Sequence, residues 1–254
     1  MAPVTSAPAN RVRTGRRRGT DEVISNELDV AIWRRELAQR TRVQVPEFLQ
    51  PDAAEALERC LATEVPWQLA ERSEGASRTS PRGAYPSDTD YQQLLQRAYA
   101  RAGHEYQFAY DSYMLVRAAQ EHWDPGLLVN GVFGFLNTPE FIAFARYLTS
   151  DATITHVNAQ CTRYRPGQFL LPHEDVDVQE GRRYAYVINL TREWKADWGG
   201  QLQFLDAGDG VIETLMPRWN SLSLFRVPQR HQVTLVAPWA AAPRHAITGW
   251  WLAR

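Results

Sequence analysis

From residue 154 onward, short apolar runs alternate with turn signals. The runs at 154–164, 184–190, 201–205, 211–214, 220–226, 231–236 and 245–251 are rich in β-branched and aromatic residues. Between them lie Pro166-Gly167, Gly199-Gly200, Gly208-Asp209-Gly210, Pro217 and Pro228. Short strands at that spacing predict a sandwich or barrel. Upstream the apolar period lengthens toward 3.6, the signature of helices packed on one face. A helix is expected over 21–39 with Val23, Leu28, Ile32 and Leu37 as anchors. A second opens at Pro51-Asp52 and presents Ala53, Ala54, Leu57, Cys60 and Leu61, with proline in the first turn, where its missing N–H costs nothing. A third covers 91–102, and a fourth runs from Pro139 to Leu148 with Phe141, Ile142, Phe144 and Ala145 buried. Val43 and Val45 read as a short strand, 67–86 as a loop or short hairpin, and 106–116 as a strand by its aromatic content.

Composition narrows the class. With 254 residues, 44% of them hydrophobic, the chain can bury a sizeable core. No apolar run approaches the roughly 18 residues of a membrane span, so no membrane partner is expected. The only cysteines are Cys60 and Cys161. That points away from a disulfide framework and toward a reducing cytoplasm. Residues 1–20 hold Arg11, Arg13, Arg16, Arg17 and Arg18 and no acid, which leaves 28 − 5 = 23 basic against 29 acidic side chains in the remainder. The body is therefore mildly acidic, and nucleic acid is disfavoured as a partner except through the Arg-rich tail. The tail is expected to be disordered, with residues 21–254 forming a single domain: a helical part over 21–105 and a β core over 106–254.

The chemistry concentrates in the stretch from Tyr164 to Val176. His173 and Asp175 are two residues apart, and on extended backbone they project to one side. An imidazole and a carboxylate aimed at one point make two-thirds of a facial triad that holds Fe(II) with positions left open. His231, 58 residues later, is the third ligand candidate. The same three donors would also suit Zn(II). A hydrolytic zinc site, however, needs no partner like Arg244. Arg244, Ala246, Thr248 and Trp250 share one strand face, while His245, Ile247, Gly249 and Trp251 share the other. An inward arginine followed by Ala and Thr leaves a slot in which a dicarboxylate can meet the guanidinium fork. On the 154–164 run, His156, Asn158, Gln160, Thr162 and Tyr164 share a polar face. Tyr164 lies just before the loop that delivers His173 and is assigned to the site.

These residues carry a resemblance. Tyr164-Arg-Pro-Gly167 with His173-Glu-Asp175, Asn189-Leu-Thr-Arg-Glu-Trp194, Trp198-Gly-Gly-Gln-Leu202, Arg230-His-Gln-Val233 and Arg244-His-Ala-Ile-Thr-Gly-Trp250 occur in this order. Together they resemble the prolyl-hydroxylase branch of the Fe(II)/2-oxoglutarate-dependent oxygenases, similar to the hypoxia-factor and yeast ribosomal prolyl hydroxylases. The resemblance implies a mainly β fold with flanking helices (α+β), a double-stranded β-helix of the jelly-roll, cupin-like kind packed against N-terminal helices. It implies His173, Asp175 and His231 as iron ligands and Arg244 as the partner of the distal carboxylate of 2-oxoglutarate. Tyr164 matches a cosubstrate-bonding tyrosine, and Leu202 and Trp250 match lining positions of the same pocket. Asn189 stands where the hypoxia-factor enzymes carry a tyrosine, and Thr248 completes the slot beside Arg244. The His231 to Arg244 loop is longer than in those relatives, through Pro238-Trp-Ala-Ala-Ala-Ala-Pro243.

The resemblance further implies a dioxygenase that consumes O2 and 2-oxoglutarate, releases succinate and CO2, and hydroxylates a C–H bond, with ascorbate as an accessory reductant. Its substrate would be a prolyl residue in a protein or peptide. The alternatives are a small molecule such as free proline, or a jelly roll that binds a partner without catalysis. Residues 67–90 and 107–137 are expected to frame the entrance.

Overall fold

The computed structural model describes residues 23–253; the Arg-rich segment lies outside them. In chain order, α1 (Val30–Arg40), β1 (Arg42–Val45) and α2 (Pro51–Thr63) lead to a hairpin of β2 (Gln68–Ser73) and β3 (Ala76–Thr79), then α3 (Asp88–Ala102). β4 (Phe108–Tyr113) is followed by α4 (Leu115–Glu121), α5 (Leu128–Leu136) and α6 (Pro139–Thr149). The remaining strands are β5 (Ile154–Val157), β6 (Gln160–Tyr164), β7 (Phe169–His173), β8 (Arg182–Asn189), β9 (Leu202–Leu205), β10 (Val211–Leu215), β11 (Ser221–Arg226), β12 (His231–Val233) and β13 (Arg244–Ala253).

The helix ends follow local chemistry. Asp29 caps α1 by accepting from the N–H groups of Ala31 and Ile32. Ser87 caps α3, and Thr138 caps α6 just ahead of Pro139. Each cap satisfies a main-chain donor that the helix cannot, worth about 1 kcal/mol. Two expectations need correction here. The first helix starts at Val30 rather than near 21, because Ile24 is drawn into a bridge with Leu49. The run 154–164 is two strands, broken where the main chain of Asn158 bonds to Trp250.

The strands form one antiparallel sheet in the order β1-β11-β8-β13-β6-β4-β7-β12-β9-β10, with β2–β3 attached through β4 and β5 attached to β13. The sheet curls into the nearly closed double-stranded β-helix expected from the sequence. Alternation along its strands sets two environments. On β8 and β13, Tyr184, Tyr186, Ile188, Ile247 and Trp251 face outward into the main core, beneath α1, α2, α5 and α6. Each such side chain contributes about 1.5–3 kcal/mol by leaving water. Ala185, Val187, Ala246, Thr248 and Trp250 alternate with them and face the barrel interior. The helices thus brace the wall from behind and leave its inner surface free for chemistry. Among the described residues no single helix is long and apolar enough to cross a membrane.

Candidate active site

β7 and β12 run side by side, with His173 directly opposite His231. The chain leaves β7 at His173 and stays extended for two residues, which brings Asp175 to the same side. The ligand atoms of His173, Asp175 and His231 all lie within 4.8 Å of one another. Nε2 of His173 is 3.5 Å from Oδ1 of Asp175, and Nε2 of His231 is 3.4 Å from Oδ2. Each imidazole donates Nδ1–H to a main-chain carbonyl: His173 to Leu171 at 2.9 Å, His231 to Gln229 at 2.8 Å. A carbonyl can only accept, so both Nε2 lone pairs point inward, the tautomer a metal requires.

Burial pushes His231 down to about 4, against the opposing pull of Asp175, so the ring is neutral at physiological pH. Burial raises the Asp175 carboxyl, but the adjoining side chains of His173, His231 and Trp250 outweigh it, and the net shift is downward. Two imidazoles and a carboxylate converging on one point suit Fe(II) with open positions.

These three residues line a cavity of about 380 Å³ inside the barrel. Tyr164, Leu202, Arg244, Thr248 and Trp250, all singled out from the sequence, line it too. Arg244 is only 3% exposed, and its Nε and Nη1 have no hydrogen-bond partner. Its guanidinium lies over the Tyr164 ring at 5.4 Å. No carboxylate forms an ion pair with it among the described residues. Burial lowers its pKa, with Tyr164 opposing, yet a guanidinium stays charged in proteins. A buried cation without a counterion is costly, and a carboxylate ligand entering the cavity would relieve that cost.

Asn189 sits elsewhere than the sequence suggested. It is absent from the cavity lining. Its Nδ2 donates to the hydroxyls of Ser221 and Ser223 at 3.2 Å each, and its Oδ1 lies 3.5 Å from Nη2 of Arg244. It backs the arginine rather than facing a ligand. The expected frame of the entrance also needs correction. The 68–79 hairpin reaches the cavity through Ser77, and β4 through Phe108 and Tyr110, but α5 lies against α2 on the far side of the sheet.

Sequence reasoning missed an aromatic wall. Tyr106, Phe108 and Tyr110 alternate along one face and line the cavity, with Tyr106 5.8 Å from the His173 ring and Tyr110 stacked on Tyr164 at 5.3 Å. Their period of two was visible in the 106–116 run. Burial raises Tyr106, Tyr110 and Tyr164, so their hydroxyls stay neutral donors. Arg182 was also missed; its guanidinium stacks over Trp250 at 3.7 Å. Nothing local in the sequence announces that contact.

Residues 159–252 match the family model of the 2OG-Fe(II) oxygenase superfamily. A prolyl 3-hydroxylase from Xenopus laevis (OGFOD1) is 35% identical over 101 residues, which is 37% of this chain and 19% of that protein. The Mus musculus counterpart is 33% identical over 101 residues, 37% of this chain and 18% of that protein. The chain thus spans about a fifth of the length of these curated relatives. A solved prolyl hydroxylase from Trichoplax adhaerens, in complex with a hypoxia-inducible-factor peptide fragment, superposes with a TM-score of 0.58 at 16% identity, covering 88% of this chain and 89% of that one. A 2OG-Fe(II) oxygenase-family oxidoreductase from Burkholderia pseudomallei gives 0.57 at 15% identity, covering 89% of this chain and 91% of that one. These two structures bear on the fold. Over residues 159–252 the chain is thus similar to the 2OG-Fe(II) oxygenase superfamily, and a segment of 101 residues is similar to prolyl 3-hydroxylases.

Proposed function

We propose that this protein is an Fe(II)- and 2-oxoglutarate-dependent dioxygenase that hydroxylates a prolyl residue of a protein or peptide. The observation that carries the reading is Arg244: a buried guanidinium with two unpartnered nitrogens, in the same cavity as a His-Asp-His donor set. Fe(II) would account for the donor set, and a dicarboxylate cosubstrate for the arginine. His173, Asp175 and His231 would hold Fe(II), and Arg244 would take the distal carboxylate of 2-oxoglutarate. Tyr164 and Thr248 would offer hydroxyls alongside, and Leu202 and Trp250 would supply apolar walls for the cosubstrate. Asn189 steadies Arg244 from behind. When bound, iron and 2-oxoglutarate supply activation of dioxygen for C–H hydroxylation, with succinate and CO2 released. The residues' part is to fix the metal's open positions toward the cavity and to orient the acid. The walls, Tyr106, Phe108, Tyr110, Phe225 and Trp250, would keep water from the reacting atoms.

The two prolyl 3-hydroxylases that match 101 residues of this chain support the prolyl substrate. The reading includes action as one unit over 21–254, work in the cytoplasm, and ascorbate as the reductant that recovers idle iron. The test is anaerobic reconstitution with Fe(II) and 2-oxoglutarate. A visible charge-transfer band is expected, together with its loss in Asp175→Ala. A folded protein that binds iron and gives no band would sink the reading.

A further inference from the structure

The β2–β3 hairpin ends in a main-chain edge that no other strand pairs with among the described residues. β3 has β2 as its one neighbour, and all four of its residues are exposed. The hairpin turns at Glu74 and Gly75, both with positive φ (52° and 75°), the two-residue turn that suits twisted strands. Its register pairs Arg72 with Ser77 and Ala70 with Thr79. Bonded pairs alternate along an antiparallel ladder. The N–H of Ser80 donates to Leu69 C=O at 2.8 Å, so Ala76, Arg78 and Ser80 bond inward to β2. Ser77 and Thr79 therefore direct their N–H and C=O groups away from β2, to the open edge.

That edge continues the wall of the active site. Ala70 lies opposite Tyr110 on β4 and opposite Thr79 on β3, and residues opposite one another share a face. Tyr110, Ala70 and Thr79 thus form one row. Arg72 and Ser77 belong to the same face, with the Arg72 guanidinium over the Tyr106 ring at 5.6 Å and its Nε without a partner. Tyr110, Tyr106 and Ser77 all line the cavity that holds His173 and His231. An exposed edge is a pairing template, which folds usually cover or blunt. Here it stands at the mouth of the candidate site.

We infer that the substrate is an extended peptide that adds to β3 as a parallel strand, with its target proline opposite Ser77. This rests on the peptide-hydroxylase reading above. Strand addition takes affinity from main-chain bonds and specificity from alternate side chains. Proline decides the direction. In an antiparallel pair, the residue opposite Ser77 would have to donate its own N–H to Ser77, and proline has none. In a parallel pair, the residue opposite points its N–H away, and its neighbours make the bonds. The residue before the proline accepts from Ser77 N–H. The residue after it donates to Ser77 C=O, and the residue three places after donates to Thr79 C=O. The proline then faces the cavity side with no main-chain donor missing, and the residue before it favours the extended backbone the strand needs.

The probe is a library of nine-residue peptides with proline fixed at the centre and the other positions randomised. It is applied to the full chain under anaerobic Fe(II) and 2-oxoglutarate, with binding read by mass spectrometry. Retained peptides are then N-methylated one residue at a time. Methylation one or three residues after the proline is expected to weaken binding about tenfold, the worth of one main-chain hydrogen bond. Methylation two residues before or after the proline is expected to have little effect. Ser77→Pro, which deletes the outward N–H and leaves the inward ladder intact, should lose the same peptides, while Ser77→Ala should keep them. Sensitivity at the even positions, or no positional pattern, overturns the proposal. So does failure to retain any peptide when the charge-transfer band forms, and that result leaves the oxygenase reading standing. Absence of the band itself overturns both.

Discussion

Asp111 and Arg244 are both buried charges on barrel strands, and they are treated in opposite ways. Asp111 is fully buried and fully answered. Its carboxylate accepts from Tyr85 Oη at 2.5 Å, Gln168 Nε2 at 2.9 Å and Arg163 Nε at 2.8 Å, and pairs with Arg165 at 3.2 Å. Arg244, almost as deep, has two guanidinium nitrogens with no partner and no anion beside it. A satisfied buried charge is a structural tie. It joins β4 to β6 and to the Arg165–Gln168 turn that leads into β7, so it helps place His173. An unsatisfied buried charge is costly in the ligand-free fold, and among the described residues nothing supplies its partner. The contrast separates residues that build the barrel from residues that serve a ligand, although both are buried and both are charged.

Substitutions can break this contrast. The largest effect is expected at the metal. His231→Ala removes one of three donors and should abolish stoichiometric Fe(II) binding, measured by metal analysis after anaerobic reconstitution; wild-type iron content in a folded variant would remove His231 from the ligand set. Asp111→Asn comes next. It leaves Arg163 and Arg165 facing an amide and should destabilise the fold by about 3–5 kcal/mol in urea unfolding, the usual cost of breaking a buried pair. Arg244→Ala should do the reverse: unfolding no easier than wild type, Fe(II) content unchanged, and the 2-oxoglutarate needed for the charge-transfer band raised about 100-fold, or about 3 kcal/mol. If Arg244→Ala unfolded as easily as Asp111→Asn and kept its cosubstrate affinity, the two sites would have been assigned the wrong way round.

What the sequence made legible was whatever depends on local alternation. His173 and Asp175 share a side because extended backbone has a period of two, and Arg244 and His245 diverge for the same reason. Tyr164, Thr248 and Trp250 reached the cavity on that rule. The misses required knowledge of neighbours. Asn189 points into the barrel as its parity demands, yet Ser221 and Ser223 on β11 and Arg244 on β13 enclose it. The α5 helix has no charged face: Leu128-Val-Asn-Gly-Val-Phe-Gly-Phe-Leu136 carries no polar stripe from which a 3.6 period could be read. The break after Val157 reflects Asn158, which accepts from Trp250 N–H through its side chain and exchanges a main-chain bond with the same residue. No pattern within 154–164 encodes that contact.

His245 extends the comparison to a group that is buried, titratable and neutral. It stacks on Trp67 with ring centroids 6.0 Å apart, and its Nε2 has no partner. Arg163, itself over Trp67 at 5.0 Å, and Asp111 are the charges nearby. Burial, aided by Arg163 and opposed by Asp111, lowers its pKa from 6.5 to about 4. Between those values the unfolded chain binds a proton that the folded chain refuses. The stability contributed is therefore complete above about pH 6.5 and is lost as the pH falls toward 4. Between pH 7 and 5.5 the loss from this one ring is about 1 kcal/mol. His231 titrates over the same range in the metal-free protein, so the difference between wild type and His245→Phe isolates the effect. A phenyl ring keeps the stack on Trp67 and cannot take a proton. The urea midpoint of wild type should fall relative to that of His245→Phe as the pH falls from 7 to 5.5. Parallel midpoints over that interval would mean that the folded ring titrates where the unfolded one does, with Asp111 cancelling the effect of burial.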